Sequence, residues 1–249
     1  DGKSTLEFRN KLDQILLIRQ LDNDNFIDTY YIYDDFGNLF FVLPPSATDA
    51  LSADNIWSVN SDAISSYGYF YRYDERNRCI EKKMPGADPI YIVYDRADHP
   101  VLIQDGNLRT KNEWLFTKYD ALDREIVTGL LTSDYSHNDF IEICRDTLVV
   151  EEFAFNYEMP IIGYTNRIKL GNNIRVLTIN YYDNHQFRNL NDYQNIFLST
   201  GPVSNNKEIY QNCQGLITAT YIGQTDNMNR YEISSFYYDT QGRIVEKLV

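Results

Sequence analysis

A mainly β chain, built of consecutive antiparallel hairpins laid side by side in one large curved or spiralling sheet with short helical insertions, is what this sequence predicts. Three observations carry that prediction. Tyr-Asp recurs at Tyr33-Asp34, Tyr73-Asp74, Tyr94-Asp95, Tyr119-Asp120, Tyr182-Asp183 and Tyr238-Asp239, where chance alone gives about two such pairs. Three positions beyond the Asp stand Gly37, Asn77, Asp98, Asp123 and Gly242, the residue types that enter the left-handed backbone region at low cost. Strand-like runs flank the pairs, among them Thr29-Tyr30-Tyr31-Ile32 before one and Leu39-Phe40-Phe41-Val42 after it.

The unit is therefore strand, short turn with one φ > 0 residue, strand. Asp suits the start of that turn because its carboxylate accepts backbone N–H groups from the residues that follow. The preceding Tyr covers the hairpin with its ring while its hydroxyl reaches solvent or a neighbouring repeat. A worn copy sits near the start, with Phe8 in the aromatic place and Asn10-Lys11-Leu12-Asp13-Gln14-Ile15 in the turn pattern. The Tyr182 copy departs from the rule, since Gln186 stands where the turn glycine belongs, and its turn must differ.

Hairpins are expected near residues 8–20, 29–43, 69–84, 90–104, 114–128, 177–188 and 233–248 of a single repeat region spanning 1–249. Longer spacings hold insertions near 46–66 and 131–165. In the first, Pro44-Pro45-Ser46-Ala47 ends a strand, and Thr48 to Tyr67 reads as one or two helical turns over the sheet, with Trp57 and Ile64 as apolar anchors. In the second, Asn138-Asp139-Phe140-Ile141-Glu142-Ile143-Cys144 begins with capping residues and reads as a short helix. Ser199 to Asn206 reads as a loop.

Composition narrows the function classes. A formal charge of −13 repels phosphate backbones, so nucleic acid is excluded as a partner. No run of about 18 apolar residues exists, so this segment inserts no helix into a membrane. Asp1-Gly2-Lys3-Ser4 lacks the basic and apolar regions of a signal peptide. Cys79, Cys144 and Cys213 are far apart and read as buried small hydrophobes.

Tyr33-Asp34-Asp35-Phe36-Gly37-Asn38-Leu39, Tyr73-Asp74-Glu75-Arg76-Asn77-Arg78, Asn112 to Leu122 and Tyr238-Asp239-Thr240-Gln241-Gly242-Arg243 together resemble the YD-repeat proteins of the RHS family, especially the long secreted ones of Bacteroidetes. The resemblance implies a continuous antiparallel sheet that spirals into a hollow shell, which in some members encloses a toxic carboxyl-terminal polypeptide. It also implies an extracellular or cell-surface location, with neighbouring repeats or a carboxyl-terminal cargo of the parent chain as partners. The family's self-cleaving aspartate segment lies after its repeats, whereas this sequence stops at Lys247-Leu248-Val249, inside a repeat.

A search for chemistry on its own terms yields no catalytic, cofactor-binding or metal-binding assignment. His99, His137 and His185 form no His-x-x-x-His pair, and His99 occupies the basic position after a turn. A Cys144 pair with His137 or His185 has no supporting pattern. Asp22-Asn23-Asp24-Asn25 alternates oxygen ligands suited to calcium but lacks the glycine and distal glutamate of an EF-hand, and reads as a polar turn. Asp34-Asp35 and Glu151-Glu152 are adjacent acids that on strands point to opposite faces. Tyr69, Tyr71 and Tyr73 share one strand face, which packing explains best. The alternative is a surface module in which Tyr69 and Tyr71 bind a glycan or a protein. The expected function is a non-enzymatic structural scaffold that needs no cofactor.

Overall fold

A computed structural model describes residues 3–22, 25–54, 58, 61–167, 173–193, 213–223 and 231–249. Among the described residues fourteen antiparallel strands form one open sheet in which spatial order equals chain order. The first hairpins are β1 (Lys3–Arg9) with β2 (Ile15–Asp22), β3 (Asn25–Tyr33) with β4 (Leu39–Leu43), and β5 (Tyr69–Tyr73) with β6 (Cys79–Lys83). They are followed by β7 (Ile90–Tyr94), β8 (Pro100–Gln104), β9 (Glu113–Tyr119) and β10 (Glu125–Thr132). Last come β11 (Ile174–Asp183), β12 (Cys213–Gly223), β13 (Tyr231–Tyr238) and β14 (Ile244–Leu248). Contacts cluster into two compact units, Asp1–Ile92 with Gln104–Asn107, and Val93–Ile103 with Leu108–Val249.

Every Tyr-Asp hairpin whose register is described pairs the Tyr with the residue after a five-residue loop: Tyr33 with Leu39, Tyr73 with Cys79, Tyr119 with Glu125, Tyr238 with Ile244. Each has a register shift beside the Tyr, because the returning strand holds one extra residue there, Phe40, Ile80, Ile126 or Val245, as a β-bulge. The worn first copy pairs Arg9 with Ile15. Arg9, not Phe8, therefore takes the tyrosine place, and Phe8 is displaced to a 45% exposed position one residue earlier.

Neighbouring hairpins meet in a constant register. The residue seven places after each turn Asp or Asn pairs with the residue four places before the next: Leu17 with Tyr30, Phe41 with Phe70, Glu81 with Tyr91, Leu102 with Phe116, and Val127 with Ile179. One repeat is thus stacked on the next by the same step, whatever the length of chain between them.

In the first unit, α1 (Pro45–Asp54) and α2 (Asp62–Tyr67) follow β4. Proline suits the first turn of α1, where its missing N–H costs no hydrogen bond. Ala47, Leu51 and Ala63 pack with Phe41 and Leu43, and Ile64 joins from the margin. Trp57 and the loop residues Ser199–Asn206 lie outside the described residues, as do Asn23 and Asp24 of the polar turn.

The second unit carries α3 (Gly106–Arg109) in part and α4 (His137–Cys144) wholly. Ser136, two residues before the expected capping residues Asn138-Asp139, closes a full capping box with Asp139 on α4. Phe140 and Cys144 are fully buried, and Phe140 meets Trp114 edge-on at 5.1 Å.

The hairpin expected near 177–188 is not formed. Asp183 itself is left-handed, at φ 72°, and β11 pairs with β12, whose first residue Cys213 lies opposite Asp183. Gln186 enters no left-handed turn, and a 3-10 helix at Gln186–Asn189 carries Phe187 and nearby Leu190 into the core at 1% exposure each. Burial of two large apolar side chains outweighs a tight return.

Candidate functional site

The recurring turns are the most regular polar feature of the chain. At Asp34, Asp74, Asp95, Asp120 and Asp239, carboxylate Oδ1 accepts the backbone N–H two residues on at 2.8–3.0 Å. The same oxygen accepts the N–H four residues on at 2.8–3.1 Å. Oδ2 faces the side chain of that fourth residue: Asn38 at 3.0 Å, Arg78 at 2.7 Å, His99 Nδ1 at 3.1 Å, and Arg124 and Arg243 at 2.7 Å. Between them Gly37, Asn77, Asp98, Asp123 and Gly242 hold φ values of 59° to 86°. Asn10 repeats the geometry with its amide oxygen, and Asp13 takes φ 64°.

The fourth residue also reaches across to the next repeat. Gln14 Nε2 donates to Gly37 O at 3.1 Å, Asn38 Nδ2 donates to Asn77 Oδ1 at 3.0 Å, and His99 Nε2 lies 2.9 Å from Asp123 Oδ1. Arg124 extends both terminal nitrogens to the Asp183 carboxylate at 2.9 and 2.8 Å, and stacks over Tyr182 at 4.2 Å. Within each of the two units two such links therefore run in the same direction, from the fifth loop residue to the following turn.

Electrostatics follow from these bonds. For Asp74, partial burial pushes the carboxyl up, but hydrogen bonds from the Arg78 side chain and backbone outweigh it and leave the carboxyl lowered. The Arg124 guanidinium lowers Asp183 and is itself raised by the Asp183 bond. Backbone N–H of Arg243 is the first cause of the lowered Asp239 carboxyl.

The repeat tyrosines bridge strands. Tyr119 donates to Pro100 O at 3.3 Å and Tyr182 to Glu125 O at 3.1 Å, each the first residue of the strand returning from the preceding turn. Tyr238 donates to Ile217 O at 2.5 Å. Tyr119 stacks on His99 at 4.3 Å, and burial pushes its phenol up to about 12. Tyr33, Tyr73 and Tyr94 are half-buried, as are Tyr69 and Tyr71 on β5. Burial raises both Tyr71 and Tyr73.

Asp95 has no exposed surface and receives a further bond from Val149 N at 3.0 Å. That bond fastens the segment after α4 to the turn. Nearby, Lys118 and Glu151, at 3% and 0% side-chain exposure, form an ion pair at 2.5 Å. Glu151 Oε2 accepts from Thr165 Oγ1 at 2.7 Å and from Arg167 N at 2.9 Å. Burial lowers the Lys118 ammonium, against the pull of Glu151. Sequence reasoning treated Glu151 only as half of an acidic pair; the Lys118 partner lies on a strand 33 residues away and leaves no local signal. Glu152 turns outward to Arg167.

A cleft of about 220 Å³ opens beside Asp120, Glu151, Tyr164, Tyr181 and Asp183. Its carboxylates are held by Arg124 and Lys118, and Tyr181 donates to Ile162 O at 2.9 Å. His137 is buried against Trp114, and His185 faces Phe236 O at 2.9 Å with its pKa lowered by burial. Cys144 and Cys213 are buried, Cys79 is half-buried, and none is in a disulfide. Among the described residues no group of three His, Cys, Asp or Glu side chains converges to hold a metal ion. No helix among them is long and apolar enough to cross a membrane.

Fold and turns together define a protein of consecutive antiparallel hairpins joined through their turns. Solved structures that resemble it include TcdB2-TccC3, at TM-score 0.51 and 10% identity over 99% of this chain and 11% of the other. A variant of the Photorhabdus luminescens Tc holotoxin pore matches at 0.51 and 10% over 99% and 10%. TcdB2-TccC3-Cdc42 matches at 0.51 and 10% over 99% and 11%. At this identity the likeness concerns the fold, and the chain spans about a tenth of the structures it matches. No family model and no curated protein matches the sequence.

Proposed function

We propose that this chain is a non-enzymatic wall segment of the YD-repeat, RHS type, whose task is to enclose or present a carboxyl-terminal polypeptide of a longer secreted or surface protein. The single observation that supports it most is the directional linking of successive turns at constant strand register, which spends the recurring Asp, Asn and Arg side chains on joining repeats. Likeness in fold to the Tc toxin chains adds the same architecture in a toxin setting. The reading is tested by pairing a turn substitution with a search for recognition. Asp95→Ala is expected to lower stability sharply, and the folded parent chain to show no glycan-array signal. Specific glycan binding that Tyr69→Ala with Tyr71→Ala abolishes, at unchanged Tm, replaces the wall reading by the surface-module reading. The half-buried rings of β5 are what keep that second reading in view.

A further inference from the structure

The cleft of the second unit is bounded by the β9–β10 turn, by the segment after α4 and by the end of β11. Its walls are aromatic. Tyr164 and Tyr181 lie nearly parallel, 13° apart with ring centres at 5.7 Å, and Phe153 stands almost perpendicular to both, at 84° and 77° with centres at 6.0 and 6.5 Å. Ring surfaces therefore meet at a right angle, and Phe153 is half-buried where the two tyrosines are buried. Tyr182, also in the wall, already carries the Arg124 guanidinium over its ring at 4.2 Å. Four carboxylates border the rings, those of Asp120, Glu151, Glu152 and Asp183, against the three cations that pair with them, Arg124, Lys118 and Arg167. This leaves an excess of negative charge at the cleft, in a chain of formal charge −13.

We propose that this cleft binds a small organic cation whose charge sits on an alkylated nitrogen, of the choline or tetramethylammonium type. Aromatic ring faces are negative and attract such a cation, while its methyl groups replace water against the apolar walls. Two other ligand classes fit these residues less well. A sugar needs several directed hydrogen bonds, yet the oxygens of Asp120 and Glu151 are spent on Arg124, Lys118, Thr165 and backbone N–H groups. An inorganic cation needs converging oxygen ligands, and among the described residues no group of three His, Cys, Asp or Glu side chains converges. An alkylated ammonium asks for no hydrogen bond; ring faces and surrounding negative charge suffice. The cleft, at about 220 Å³, admits a molecule of choline's size. A phosphate beside the nitrogen would meet Glu152 and Asp183, so the free cation is favoured over a phosphocholine headgroup. This binding goes beyond the wall role, and its failure leaves that reading untouched.

Titration of the full chain with choline chloride and tetramethylammonium chloride, followed by calorimetry, tests the site. Dimethylbutanol, the uncharged carbon isostere of choline, is the control. Both cations are expected to saturate one site with a Kd of about 1 mM or tighter, and the isostere to bind at least about tenfold more weakly. Phe153→Leu keeps an apolar side chain but removes the ring face, and is expected to weaken choline at least about tenfold at unchanged Tm. Should Tm fall, Glu152→Lys decides instead: its side chain is 61% exposed, and a cation there is expected to weaken choline by reversing the local charge. Phosphocholine and phosphatidylcholine vesicles are both expected to bind less tightly than choline. No saturable binding up to about 20 mM overturns the proposal, as does equal affinity for the uncharged isostere. Choline binding that ignores both substitutions overturns it as well. Phosphocholine or vesicle binding as tight as that of choline overturns the assignment to a free cation.

Discussion

At the residue scale, the turn Asp works as a three-way acceptor. It closes its own loop through two backbone N–H groups and grips the side chain that links to the next repeat. Asp120→Ala removes three bonds at a partly buried position and leaves Arg124 with Asp183 and the Tyr182 ring. A loss of about 2 kcal/mol is expected in urea unfolding. Asp95→Ala is expected to cost more, about 3–4 kcal/mol, because the Asp95 carboxylate is fully buried and Val149 N and His99 would lose their acceptor. Equal effects at the two sites would contradict the buried role assigned to Asp95. The left-handed positions discriminate by residue type: Asn77→Gly at φ 59° is expected to change stability by less than about 1 kcal/mol, and Asn77→Val to destabilise clearly.

At the scale of elements, repeats differ in what braces them. β9 is tied to the segment after α4 by three features: the Lys118–Glu151 pair, the bond from Glu151 N to Tyr119 O at 2.9 Å, and the Tyr119–Val150 bridge. Lys118→Met alone leaves a buried carboxylate without its cation and is expected to cost about 3–5 kcal/mol. Lys118→Met with Glu151→Leu is expected to recover most of that loss, and a double mutant no more stable than the single would contradict the burial argument. Gly129 in β10 shows a tighter constraint. A Cβ there would stand 2.4 Å from Arg175 O and 2.6 Å from the Phe116 ring. Gly129→Ala is therefore expected to shift β11 or unfold the second unit, read out as lost amide protection along β10 and β11. Much of this level was illegible in the sequence. Ser136 and the helix it caps leave a local pattern, but the Lys118 partner of Glu151 is brought near only when the chain returns to the sheet.

For the molecule as a whole, the carboxylates set the acid limit. Asp34, Asp74, Asp183 and Asp239 all have lowered folded-state pKa values, held down mainly by Asn38, Arg78, Arg124 and the Arg243 backbone once opposing burial is overcome. A carboxyl depressed on folding contributes stability above its unfolded pKa of about 3.9, and that contribution disappears as pH falls through the folded value. Thermal stability is therefore expected to hold from neutral pH to about pH 5 and to drop below about pH 4. Asp74→Asn should flatten part of that drop; an unchanged acid profile would mean the turn carboxylates are not the groups responsible.

Hairpin turns were legible from residues alone because their chemistry is local: an Asp or Asn, a residue tolerant of positive φ three places on, and apolar runs to either side. The same local rule misplaced two copies. Phe8 looked aromatic enough for the tyrosine place that the ladder assigns to Arg9, and Tyr182-Asp183 looked like a return that the burial of Phe187 and Leu190 diverts. The seven-to-four step between hairpins and the Asn38–Asn77, His99–Asp123 and Arg124–Asp183 links belong to the tertiary structure alone. Turn propensity acts within a few residues of backbone, whereas a lateral link depends on which side chains the sheet register brings within about 3 Å of one another.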